Sequence, residues 1–132
     1  MLRNAILNVA IGSVDENVRH MFMQFIDQFT PLHMAVLNLM NNPAANEKVK
    51  QRVQNLMAGR LREIVDVAVP ELRDQKELAD VIVADLENMK LTNGAGLSVT
   101  MTGNGMLAQR TTLLGRSLLQ FIADPENGRV PS

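Results

Sequence analysis

The 132-residue sequence predicts a mainly α-helical fold with one small β-hairpin. Residues 1–91 carry apolar side chains at steps of three and four, helix after helix. From residue 92 to 111 the composition changes to Gly, Thr, Ser and Val and the period drops to two, as in a half-buried strand. The helical period then returns for one closing element.

Each element has a local justification. Residues 1–11 are apolar at Leu2, Ile6, Leu7, Val9 and Ile11, so the apolar arc is wide and needs cover on more than one side. Gly12-Ser13 interrupts this segment, and Ser13 to Glu16 reads as a capping box. Val14, Val18, Met21, Phe22, Phe25, Ile26 and Phe29 then form the strongest periodic stripe, which holds three of the four Phe. Residues 1–29 are therefore expected to form an N-terminal helical hairpin and a dimerisation element.

Thr30-Pro31 ends that helix and starts the next, since Pro suits the first helical position after a Thr cap. A helix over 32–40 stops at Asn41-Asn42-Pro43. Another over 46–58 uses Val49, Val53, Leu56 and Met57, with Gly59 as its stop. Leu61, Ile64, Val65 and Ala68 make a short helix ended by Pro70. Residues 74–89 form a helix built on Leu78, Val81, Ile82, Leu86 and Met89. Residues 97–101 alternate as a strand, Thr102-Gly103-Asn104-Gly105 carries hairpin-turn chemistry, and 106–110 is the return strand. Thr111 or Thr112 caps a last helix on Leu114, Leu118, Phe121 and Ile122, and residues 124–132 read as a frayed tail. Residues 30–123 would form one domain.

Composition narrows the function classes. There is no Cys, Trp or Tyr, so disulfide scaffolds, Cys-bearing zinc modules and thiol nucleophiles are excluded. No apolar run reaches the roughly 18 residues of a spanning helix, and no signal peptide opens the chain. A cytoplasmic protein is expected. The net charge of −1 argues against an overtly basic nucleic-acid binder.

The order of three helices, a hairpin and a closing helix is the winged-helix arrangement. Leu78 to Ile122, "LADVIVADLENMKLTNGAGLSVTMTGNGMLAQRTTLLGRSLLQFI", carries it. "ADLENMKL" before a hairpin resembles the recognition helix and wing of bacterial winged-helix domains. "TTLLGRSLLQFI" and "FMQFIDQFTPLHMAVLNLM" are similar to segments of uncharacterised bacterial and phage-associated proteins, some linked to abortive-infection phage defence. The resemblance implies a winged-helix module, and its motifs are structural rather than chemical.

A groove-reading role meets two electrostatic objections. Residues 74–90 hold five acidic residues (Asp74, Glu77, Asp80, Asp85, Glu87) against two basic ones (Lys76, Lys90). Between Lys90 and Arg110 there is no charge at all, where a DNA-reading wing offers Lys or Arg. The basic stretch lies elsewhere, at Lys48, Lys50, Arg52, Arg60 and Arg62. It reads as a solvated helix face, as a phosphate-contacting patch, or as a surface for an acidic protein partner.

Catalytic signals are sparse. His20 and His33 lie in no metal-ligand spacing and read as surface or boundary histidines. The paired glycines at 94, 96, 103 and 105 match no phosphate-binding loop and read as turns. Asp85 falls inside an apolar arc and needs a partner, with Arg110 or Arg116 in reach. The nine Met residues read as core filler, or as an adaptable contact surface. No catalytic, cofactor-binding or metal residue is assigned.

The expected role is thus non-enzymatic: self-association, as a homodimer through Leu2, Ile6, Leu7, Val9 and Ile11, or contact with another protein. One alternative is a DNA-binding transcriptional regulator using the 48–62 patch. A second is a non-catalytic piece of a larger phage-defence protein or enzyme.

Overall fold

The computed structural model describes residues 11–93, 97 and 100–123. Among them the chain is mainly helical, with one small two-stranded antiparallel sheet. Helix α1 (Ile11–Gln28) leads through Phe29-Thr30 into α2 (Pro31–Asn41), and a 3-10 turn at Pro43–Ala45 precedes α3 (Glu47–Gln54). Strand β1 (Ala58–Arg60) runs directly into α4 (Leu61–Ala68), and a second 3-10 turn at Pro70–Leu72 precedes α5 (Lys76–Asn88). Strand β2 (Thr100–Thr102), the single-turn α6 (Gly103–Met106) and α7 (Leu113–Ala123) complete the order.

Helix starts follow local rules. Thr30 accepts the His33 amide at 3.3 Å, with Pro31 at the first helical position. Asn46 accepts the Val49 amide at 3.1 Å to open α3. Thr112 accepts the Gly115 amide at 3.0 Å to open α7. The break expected at Gly12-Ser13 is absent from the backbone, since α1 runs unbroken through both residues. Gly costs about 1 kcal/mol in a helix interior and Ser less, which a continuous helix can absorb.

Helix α5 ends in a Schellman motif. Leu91 N–H bonds Leu86 C=O at 3.0 Å and Lys90 N–H bonds Glu87 C=O at 2.9 Å. This places Lys90 at φ 62°, a left-handed conformation that costs a side-chain-bearing residue about 1 kcal/mol. Lys90→Gly is therefore expected to raise the melting temperature by a few degrees, read by thermal denaturation.

The predicted hairpin does not form. Thr102 caps α6, accepting the Gly105 amide at 3.1 Å, so Thr102-Gly103-Asn104-Gly105 starts a helical turn instead of a hairpin tip. Residues 106–110 are not a return strand, because Met106 is drawn fully into the core. Strand β2 pairs instead with β1, in the register Ala58↔Thr102, Gly59↔Met101 and Arg60↔Thr100. Gly59, expected to stop a helix, is thus a strand residue. A Cβ there would lie 3.1 Å from Met106 Sδ, so its bare Cα makes room for that side chain. Residues 94–96 of the glycine reading lie outside the described residues.

The core is a single cluster centred on α2, with Val36 and Leu37 fully buried against α4 (Ile64, Val65) and α5 (Ile82, Leu86). Helix α5 turns a different face inward from the one its largest side chains suggest. Ala79, Ile82, Val83 and Leu86 are buried, while Leu78 and Val81 are exposed. Val83 and Leu86 lie beside Val36 and Met40 of α2. At the far side, Thr112 N–H bonds Leu91 C=O at 3.0 Å, and Thr92 bridges Thr111, which clamps α7 to the chain leaving α5.

Candidate functional site

The residues singled out by sequence fall in three places. Leu2, Ile6, Leu7 and Val9 lie outside the described residues, and Ile11 is the first residue of α1. The stripe that follows is in view. Over residues 18–29, at 100° per residue, Met21, Phe25, Val18, Phe29, Phe22 and Ile26 span an arc of about 140°, and Met23 lies beyond Arg19 at its edge. Of these only Phe22 is fully buried, packed on Phe121 at 5.4 Å between ring centroids. Met21 keeps 42% of its surface exposed, and Met23 and Ile26 keep 36% each. The body covers the middle of the arc and leaves both flanks open.

The basic stretch is largely engaged with its own neighbours. Arg52 Nη2 meets Glu63 Oε1 at 2.9 Å, and Arg60 reaches the other oxygen of that carboxylate at 3.9 Å. Lys50 lies 3.8 Å from Glu47. Arg62, with its side chain only 14% exposed, pairs with Asp80 of α5 at 2.9 Å. Lys48 is exposed on α3. One cation has thus reached the acidic helix, and its charge answers an aspartate there. Phosphates would have to compete with Glu63 and Asp80 for three of the five cations.

Asp85 finds a partner other than the expected arginines. Its Oδ2 accepts from His33 Nε2 at 2.9 Å, across 52 residues of sequence. Arg110 instead donates to Gly105 C=O at 2.7 Å, and Arg116 to Thr111 C=O at 2.7 Å. His33 is buried, not a surface residue, and stacks on Phe29 at 5.1 Å with ring planes 3° apart. Its Nδ1 accepts from the Thr30 backbone N–H at 3.2 Å and lies 2.8 Å from Thr30 Oγ1. A backbone N–H can only donate, so Nδ1 carries the lone pair and Nε2 carries the proton. Thr30, His33 and Asp85 share the order of a hydroxyl, base and carboxylate. Here, though, the hydroxyl also accepts the His33 amide, and the ring completes the capping box. The chain of bonds ties the start of α2 to α5.

Sequence reasoning missed this link, although a signal was present. Thr30-x-x-His33 is a capping box with His where Glu or Gln usually stands. A double-mutant cycle with Thr30 intact, using His33→Gln and Asp85→Asn, is expected to give a coupling of about 1 kcal/mol in urea denaturation.

A second carboxylate is poorly served. Asp66 Oδ1 is buried with no hydrogen-bond partner. Burial pushes the Asp66 carboxyl above its ordinary value, against the pull of Arg62 and Arg73 and with help from Glu63 and Asp74. A carboxyl raised in the folded state stabilises the fold while protonated, and that contribution is lost as pH climbs above about 4. Asp66→Asn is therefore expected to raise the melting temperature near neutral pH and to leave it unchanged well below pH ~4.

Among the described residues no group of three or more His, Asp or Glu could hold a metal ion, and no helix is long and apolar enough to cross a membrane. Comparison of the chain with protein-family models, with curated proteins and with solved structures finds no match.

Proposed function

We propose that this chain acts by binding rather than by chemistry, and that α1 is the element through which a second copy docks. One observation carries the reading: an apolar arc of about 140° on α1 whose flanking Met21 and Ile26 remain exposed, with the exposed Met23 beyond Arg19. An unpaired helix of this kind suits an isologous contact, in which α1 packs against its own symmetry mate. Met repacks readily against such a surface. The exposed Leu78 and Val81 on α5 add apolar area to the molecule.

A winged-helix-like module suits this reading. The chain order is α3, β1, α4, α5, β2, α6 and α7, so three helices precede β2 and a helix closes the described chain, while the ladder joins β2 to a strand between α3 and α4 in place of a hairpin. Its use as a DNA reader is disfavoured by the pairing of Arg52, Arg60 and Arg62 with Glu63 and Asp80. Titration with duplex DNA is expected to show no binding that survives moderate salt.

Sedimentation equilibrium over a wide concentration range tests self-association. The wild type is expected to show a concentration-dependent dimer, and Ile26→Glu or Met23→Glu a monomer of unchanged helical content. Met57→Glu, at a side chain 98% exposed and remote from α1 in sequence, is expected to leave the dimer intact. A wild type that stays monomeric throughout would remove the reading.

A further inference from the structure

We infer that the groove between α2 and α7 is a binding site for a carboxylate of an acidic peptide. The groove is open to solvent, with a volume of about 540 Å³, and is lined by Asn38, Asn41, Gln109, Arg116, Ser117 and Gln120, with Leu113 alongside. Among the described residues no carboxylate lines it, in a chain with more acidic than basic residues overall.

The wall is wired in a way that leaves donors facing a ligand. Gln109 Nε2 donates to Asn41 Oδ1 at 3.2 Å, and Thr111 Oγ1 donates to the same oxygen at 3.0 Å. Both lone pairs of that oxygen are then occupied, so the Asn41 amide can offer only N–H groups. Arg116 Nη1 donates to Thr111 C=O at 2.7 Å and reaches Gln109 Oε1 at 3.5 Å. These bonds fix the guanidinium plane while Nη2 and Nε stay without a partner among the described residues. A held guanidinium edge beside an oriented amide N–H₂ is complementary to a planar carboxylate, which accepts and does not donate.

The rest of the groove favours a peptide over a bare ion. Asn38, Ser117 and Gln120 offer both donors and acceptors, as peptide amides require. Leu113, one turn from Arg116 and 74% exposed, gives an apolar neighbour of the carboxylate something to cover. This site is separate from α1 and does not rest on the dimer.

The test is an NMR titration of the ¹⁵N-labelled full chain with a short glutamate–leucine peptide. Its glutamine–leucine analogue and inorganic phosphate serve as comparators. Saturable shifts confined to the second half of α2 and residues 109–120 are expected with the glutamate peptide. Arg116→Gln is expected to weaken binding about tenfold. Leu113→Ser, at an exposed position that does not threaten the fold, is expected to weaken it several-fold. The Ile26→Glu variant is expected to bind as the wild type does, which separates this site from the α1 surface. Equal binding of the glutamine peptide, identical shifts from phosphate at the same concentration, or no saturable shift would each overturn the proposal.

Discussion

Gly115→Ala is expected to lower stability by about 3 kcal/mol or more, seen as a fall in melting temperature of roughly 10 °C. A Cβ at this position would overlap the Leu91 carbonyl oxygen and lie 3.0 Å from its carbon. Backbone cannot swing aside as a side-chain tip does. The Leu91 carbonyl is further held by the Thr112 amide, and Thr112 Oγ1 bonds Lys90 C=O at 2.6 Å while capping α7. Relieving the overlap would pull α7 away from Leu91 and break these bonds together. Gly59→Ala is the matched control. Its new methyl would press on the Sδ and Cε of Met106 at 3.1 and 3.3 Å, and a flexible thioether can move. A loss below about 1 kcal/mol is expected there. Equal losses for the two variants would show that the close approach at Leu91 is not the constraint described.

Phe22→Ala is expected to release α1 from the body while leaving the core folded. Truncating a buried Phe costs about 3–5 kcal/mol, and Phe22 is the one buried side chain among the described residues of α1's stripe. Its ring contributes the 5.4 Å contact with Phe121 and a 6.4 Å contact with Phe25. Amide hydrogen exchange is expected to show loss of protection along residues 16–28, with α2, α4 and α5 still protected. The variant is also expected to weaken self-association, since a loosened α1 pays more conformational entropy on docking. Uniform loss of protection across all helices would mean that α1 belongs to the core's cooperative unit.

Parts of the fold that obey local rules could be read from the chain. Thr30-Pro31, Asn46 and Thr112 start helices because a side-chain oxygen reaches an amide three residues on, whatever the rest of the protein does. Helix α4 was legible for a similar reason: a short apolar period closed by Pro70. The differences in element type at residues 102–110 and 58–60 share a cause. Thr102-Gly103-Asn104-Gly105 carries both hairpin and helix-cap chemistry, and the choice fell to Met106, which the core buries. Strand β2 then needed a partner, and the one it found lies some forty residues upstream at Ala58–Arg60.

The candidate surfaces divide in the same manner. The Phe-bearing stripe of α1 is visible in the sequence because 3.6-residue periodicity is local. How much of that stripe stays uncovered depends on what packs against it. Likewise, five basic residues between 48 and 62 look like a patch when counted along the chain. Glu63 and Asp80 change that reading only once α3, α4 and α5 have been brought together. The α2–α7 groove had no sequence signal, since its amides come from positions 38, 41, 109 and 120 with no common spacing.

Composition, period and capping residues by themselves determined that this chain is mainly helical and where most of its helices begin. Tertiary structure decided which face of each helix turns inward. Leu78 and Val81 remain in solvent while the smaller Ala79 and Val83 are buried, and Asp85 meets His33 instead of an arginine. The reason is physical: a helix forms from contacts within four residues, whereas the face it buries is set by the shape of the partner surface it must fill.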